Sequence, residues 1–295
     1  MQNIEFKPKQ KTSTFRRFAL ATWKSPNDAT MFGSHDVCVE KTLDYIEAFR
    51  QRTGKHLTFT HLVARGIAAG LHKYPETNVQ VRAGAIQQRA STGVSLMVMK
   101  PNDRGTTDLS YATLFDLEKK PLEQIVSEAD LEVTAARTNR SGRANAQNRF
   151  SKLPIPVLRA SIRSLMFVTH TLNIDLSRFG VPKDLFGSVM VTNVGAFGLR
   201  TAYAPLVAET RIPMVITVGD VRESPWVENG KVVVRKVLRV NVSIDHRVMD
   251  ASHASKLTHL LGEWLEDPAK MEGHCLLYTS PSPRDATLSR MPSSA

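Results

Sequence analysis

The chain predicts an α/β fold, a two-layer sandwich built on a mixed sheet. Three observations carry the prediction: helical stripes of apolar residues in the first half, Val/Ile-rich runs broken by Gly and Pro in the second, and one more amphipathic stripe after them. With 295 residues, 42% of them hydrophobic and 23% charged, the chain can bury a sizeable core without metal or disulfide staples.

Leu43, Ile46, Phe49 and Arg50 open a helix that Gly54 stops. Thr58 to Tyr74 carries Phe59, Leu62, Val63, Ile67 and Leu71 at helical spacing and closes at Pro75. Val79 to Arg82 and Ala85 to Arg89 flank Gly84 as a hairpin, and Gly93 to Met99 reads as a buried strand ended by Lys100-Pro101. Leu114 to Ala136 reads as helix. Arg137 to Arg149 is a basic run and a candidate exposed loop, with a solvated surface as its default role. Val157 to Leu172 is helical again. Ser188 to Asn193, Met214 to Asp220, Lys231 to Leu238 and Arg239 to Ile244 read as strands. The last helix, Ser252 to Leu265, lines up Leu257, Leu260, Leu261, Trp264 and Leu265.

Composition narrows the function classes. No apolar stretch reaches the roughly 20 residues of a bilayer span, and Met1 to Arg17 is polar and basic, so a cytoplasmic protein without membrane partners is expected. Cys38 and Cys275 supply neither a disulfide framework nor a zinc cage, so no metal is expected. In its Val37-Cys-Val39 setting, Cys38 reads as a buried small hydrophobe. The excess of 39 Lys+Arg over 28 Asp+Glu, +11 in all, favours anionic partners. Nucleic acid is one, but no aromatic-basic module supports it. His35, His56, His61, His72, His170, His253 and His259 are scattered and read as solvated or core-edge residues. Gly195-Ala-Phe-Gly198 is a turn, too short for a nucleotide fingerprint.

The most informative stretch is Val240-Asn-Val-Ser-Ile-Asp-His-Arg-Val-Met-Asp250, where a strand runs into Asp245-His246-Arg247 and then a helix. A strand end holds an imidazole rigidly while leaving it open, and neutral His accepts a proton near pH 7. Asp250 can cap the helix or form a buried ion pair with Arg247. On these residues alone, a structural histidine is the stronger reading.

Asp245-His246-Arg247-Val248-Met249-Asp250 resembles the Asp-His-Arg-x-x-Asp-Gly signature of the acyltransferase component of 2-oxo acid dehydrogenase complexes, a family sharing its fold with chloramphenicol acetyltransferase. Val189-Met-Val-Thr-Asn-Val-Gly-Ala-Phe-Gly198 is similar to that family's Phe-Thr-x-Ser-Asn-x-Gly-x-x-Gly segment. Ile212-Pro-Met-Val-Ile-Thr-Val-Gly219 is similar to its Pro-x-x-Ala-Ile-x-x-Gly strand, and Leu57 to Asn78 to its early helix. The likeness runs from about Phe15 to Pro268.

The resemblance implies a chloramphenicol acetyltransferase-like sandwich over residues 1–274, assembled as a homotrimer or larger. It implies coenzyme A as substrate and a lipoyl group supplied in trans by a lipoyl-bearing protein. His246, Thr192 and Asp250 form the implied catalytic set: His246 as general base on a thiol, Thr192 as oxyanion donor where the family carries Ser. Asn193 would hold the loop. Ala251 replaces the motif's Gly, which is harmless at negative φ and strained at positive φ. That substitution and the missing lipoyl domain keep open a second reading, a non-catalytic scaffold subunit of such a complex. Cys275 to Asp285 resembles one reading frame of a transposon-derived sequencing adapter, and residues 275–295 are read as adapter-derived or disordered tail.

Overall fold

A computed structural model describes residues 29–83, 85–101, 107–138 and 154–272 of the chain. Most of the basic run, Gly84 and the tail from 275 lie outside these residues.

The expected α/β sandwich forms. Strand β1 (Thr30–Cys38) is followed by helices α1 (Glu40–Thr53) and α2 (Phe59–Lys73), the small hairpin β2 (Val79–Arg82) and β3 (Ala85–Gln88), and strands β4 (Gly93–Pro101) and β5 (Thr107–Phe115). Helices α3 (Leu122–Arg137) and α4 (Ile155–Met166) precede β6 (Val189–Asn193), β7 (Met214–Glu228), β8 (Lys231–Asp245) and α5 (Ala251–Glu266). Among the described residues, the large sheet runs β1-β8-β7-β6-β4-β5. Strand β6 lies parallel to both β4 and β7, and the other pairings are antiparallel, so the sheet is mixed.

Local chemistry sets the ends. Gly54 closes α1 at φ 69°, a left-handed conformation that costs glycine little, and its N–H donates to the Arg50 carbonyl. Thr58 and His61 cap α2 reciprocally: the Thr58 hydroxyl accepts from the His61 N–H and His61 Nδ1 accepts from the Thr58 N–H. The β7–β8 hairpin turns on Asn229-Gly230 at φ 49° and 74°, as a tight hairpin turn requires.

One face of the sheet is apolar and carries the helices. Val189 and Val191 of β6, Ile216 and Val218 of β7, and Leu238 and Val240 of β8 pack with Leu62 and Ile67 of α2 and Trp264 of α5. The other face carries a buried polar stripe, with Ser95, Thr113, Thr217, Asn241 and Ser243 at most 6% exposed. Irregular chain covers it. Ser95 donates to the Phe186 carbonyl, Thr113 to Leu185, Thr217 to Ala202 and Asn241 to Arg200. The sheet therefore reads as Val/Ile-rich in alternation with Thr, Ser and Asn.

The structure corrects several expectations. Lys231 to Leu238 and Arg239 to Ile244 are one strand, because no turn residue stands between them. Leu114 and Phe115 end β5, and the helix starts only at Leu122, after Pro121. Strands β1 and β5 are additional to those the sequence predicts: β1 carries Gly33, Ser34, His35 and Asp36, which mask its period. Cys38 is half-buried rather than buried, since strand alternation turns it away from the core that Val37 and Val39 enter. No helix among the described residues is long and apolar enough to cross a membrane.

Candidate active site

His246 follows the last residue of β8, and its main chain is held from both sides. The Asp245 N–H donates to the Pro213 carbonyl at 2.8 Å and the His246 N–H to the Ala29 carbonyl at 2.7 Å. The chain then turns, Val248 and Met249 N–H donating to the Asp245 carbonyl. The His246 ring is exposed in the single chain, and its Nδ1 lies 2.9 Å from the Met249 carbonyl. A carbonyl only accepts, so the hydrogen sits on Nδ1 and the Nε2 lone pair is left as the basic site.

Asp245 and Arg247 brace this turn. The carboxylate accepts from Arg247 Nε at 2.9 Å and Nη2 at 2.6 Å, a two-point fork. Burial works against ionising Asp245, but the Arg247 hydrogen bonds outweigh it and hold the carboxyl below its ordinary range. The ion pair weighed for Asp250 and Arg247 is thus corrected: Arg247 pairs with Asp245, which reaches both its Nε and Nη2. Asp250 instead caps α5, accepting from the Ser252 N–H at 2.9 Å and the His253 N–H at 3.2 Å. Hydrogen bonds from Ser252 and then His253 hold its carboxyl well below the carboxylate range. Among the described residues it makes no hydrogen bond to His246. Ala251 is the first residue of α5 and is absent from the positive-φ positions, so the methyl in place of the motif's glycine is unstrained.

Thr192 sits at the carboxyl end of β6, next to last in the strand. Since Val189 and Val191 enter the core, Thr192 belongs to the opposite, polar face. Asn193 holds the loop as expected, its Oδ1 accepting from the Ala196 N–H at 3.1 Å and its Nδ2 reaching Thr60 Oγ1 at 3.5 Å. Gly195 follows where a Cβ would meet the Gly219 carbonyl oxygen at 2.4 Å, so a side chain there would force the loop off β7.

One chain does not bring His246 and Thr192 together. Thr192 is in register with Thr217, and Thr217 with Asn241, which lies five residues before His246. Two strand spacings of about 4.8 Å and five rises of about 3.4 Å separate them by roughly 20 Å. The Met249 carbonyl carries no signal in the sequence, because every residue has one. Among the described residues, no group of three or more His, Cys, Asp or Glu is arranged to hold a metal ion.

The mixed sheet is backed by helices, and its strand β8 ends in the Asp-His-Arg turn. Residues 182–272 match the family described as 2-oxoacid dehydrogenases acyltransferase (catalytic domain). The chain is 22% identical over 230 residues to the dihydrolipoyllysine-residue succinyltransferase component of the Escherichia coli K12 2-oxoglutarate dehydrogenase complex, covering 77% of this chain and 45% of that one. It is 33% identical over 85 residues to the probable corresponding mitochondrial component of Schizosaccharomyces pombe, covering 29% of this chain and 18% of that one. The chain thus spans less than half the length of these relatives. Azotobacter vinelandii dihydrolipoamide acetyltransferase has the same fold, with TM-score 0.58 and 17% identity over 89% of this chain and 92% of that one.

Proposed function

We propose that the chain is the catalytic core of an acyltransferase that moves an acyl group between a dihydrolipoyl thiol and coenzyme A. The observation that carries this reading is the His246 ring, fixed through Nδ1 to the Met249 carbonyl with Nε2 left to accept a proton. Further support comes from the Azotobacter vinelandii enzyme, for which a serine, a histidine and an asparagine are described as having roles in the catalytic mechanism. That histidine and asparagine stand four positions apart, the spacing of His246 and Asp250.

A thiol with a pKa of roughly 8.5 is mostly protonated at neutral pH, so the transfer needs a base. His246 Nε2 takes the proton from the thiol of coenzyme A, and the thiolate attacks the carbonyl carbon of the acyl-lipoyl thioester. The new C–S bond forms and the carbonyl oxygen becomes an oxyanion that the Thr192 hydroxyl stabilises. Collapse breaks the C–S bond to the lipoyl sulfur, which takes the proton back from the imidazolium. The steps run equally in reverse. The lipoyl group arrives on another protein or domain. Because His246 and Thr192 lie far apart within one chain, the site takes each from a neighbouring chain of a homotrimer. Residues 1–274 form the acyltransferase domain, and Asp250 serves it by capping α5 rather than by touching substrate.

The scaffold alternative drew on Ala251, and an unstrained Ala251 removes that ground. The test is turnover of acyl-coenzyme A with dihydrolipoamide by the full chain and by His246→Ala. Loss of roughly 10²–10⁴ in kcat with retained assembly is expected. Equal rates in the two proteins would defeat the proposal.

A further inference from the structure

A cavity of about 280 Å³ opens at the edge of the large sheet, between β1 and α5. Met31, Phe32 and Gly33 form one wall, Ala254, Thr258 and Gly262 the other, and Ile67, Ile216 and Val240 of the main core form the floor. Strand β1 ends the sheet, so no described strand closes the groove from that side. The two walls run in the same direction. The His246 N–H, just ahead of α5, donates to the Ala29 carbonyl at the start of β1, while a Cβ on Gly262 would meet His35 Nε2 at 2.9 Å near its end. An apolar groove that reaches the core is stabilised by a matching apolar stripe laid over it. The chain carries such a stripe immediately upstream of Ala29. Phe15, Phe18, Ala19, Thr22 and Trp23 recur at helical spacing, and only Lys24 to Asp28 separate them from the Ala29 end of the groove.

We propose that the segment Phe15–Trp23 of the same chain occupies this groove, with its apolar stripe inward and its course antiparallel to α5. The inference does not depend on the acyltransferase reading. Length agrees: eight helical rises of 1.5 Å give roughly 12 Å, within the roughly 20 Å that β1 spans from Met31 to Val37. The link agrees too, since Ser25-Pro-Asn-Asp28 is rich in turn-forming residues, and so short a tether keeps the segment's local concentration far above that of a second copy. Charge also matches. An antiparallel course brings Trp23 beside Ala251 and carries Arg16 and Arg17 to the carboxyl end of α5, where Glu263 and Glu266 are exposed and a cation suits the helix dipole. Docking there holds Ala29, and through the Ala29 carbonyl it steadies the His246 main chain.

The experiment is cross-linking in the full chain, with Cys38→Ala and Cys275→Ala as background. On the antiparallel course Ala19 faces Ser255, so Ala19→Cys combined with Ser255→Cys should form a disulfide within one chain under mild oxidation. Ala21→Cys, which falls on the side of the segment opposite the stripe, should pair with Ser255→Cys roughly tenfold more slowly or not at all. A second measurement keeps the native cysteines and follows hydrogen exchange of the His246 amide. Exchange should quicken roughly ten- to hundredfold in Phe18→Glu, the factor for one lost buried phenylalanine, and stay at the wild-type rate in Phe18→Leu, which keeps the stripe. A disulfide between chains overturns the proposal in favour of a second copy. Equal cross-linking from positions 19 and 21, or exchange unchanged by Phe18→Glu, overturns it as well.

Discussion

If base and hydroxyl come from neighbouring chains, two inactive variants should repair one another. His246→Ala removes the base and Thr192→Ala the oxyanion donor, the latter costing roughly 10²–10³ in kcat. In a cyclic trimer each site pairs the His246 of one chain with the Thr192 of the next in a fixed direction around the ring. When the variants are coexpressed in equal amounts and assemble at random, a site works when its first chain carries Thr192→Ala and its second carries His246→Ala. That combination arises at about one site in four, so activity should reach about 25% of wild type, far above either variant alone. The prediction rests on the separation of roughly 20 Å within one chain, which no rotamer spans. The assay is thioester turnover on the whole assembled population; trimers selected for both variants with two affinity tags hold one complete site in three and should reach about 33%. Activity equal to the mean of the two separate variants would show that each chain holds a complete site, and the shared-site reasoning would fail.

Replacing Ala251 with Gly, the residue of the family motif, should leave kcat unchanged because the position is unstrained, while lowering stability by up to about 1 kcal/mol through the looser first turn of α5. A rise in kcat would mean that the alanine is a defect. His61 sets a pH dependence: burial lowers its pKa from 6.5 to about 4, and its Nδ1 accepts from the Thr58 N–H, so only the neutral ring suits the fold. Between those values the unfolded chain binds a proton that the folded chain refuses, so stability is full above pH 6.5 and declines as pH falls toward 4. The decline attributable to His61 should be roughly 3 kcal/mol by urea unfolding, and His61→Asn should flatten it. An equally steep decline in the variant would assign the acid sensitivity to other groups.

Much of the architecture was legible because both periods are clean where elements bury one face. The α2 stripe, the Val/Ile alternation of β6 and β7 and the stripe of α5 are each required to fill the main core around Trp264. Strand β1 was not legible, since an edge strand with one polar side needs only Val37 deeply buried, and its Gly-Ser-His-Asp run carries no β signal. Strand β8 runs unbroken through Arg239, whose guanidinium pairs with its cross-strand neighbour Asp36 of β1 at 2.6 Å. At the site, His246 and Thr192 were legible only through the motif they share with a family. Their distance and the swap of ion-pair partners among Asp245, Arg247 and Asp250 depend on how the segments fold against each other. Spacing along the chain does not encode such relations.

The clamp on the His246 ring has a consequence for how this chain tolerates change. A carboxylate partner would vanish with one altered codon, but a backbone oxygen persists whichever amino acid occupies position 249. What inheritance must preserve there is a filler for the core, since the Met249 side chain is 1% exposed and keeps the turn seated. Drift at that position should therefore follow the rules of hydrophobic volume, with the imidazole's orientation retained as a by-product of packing.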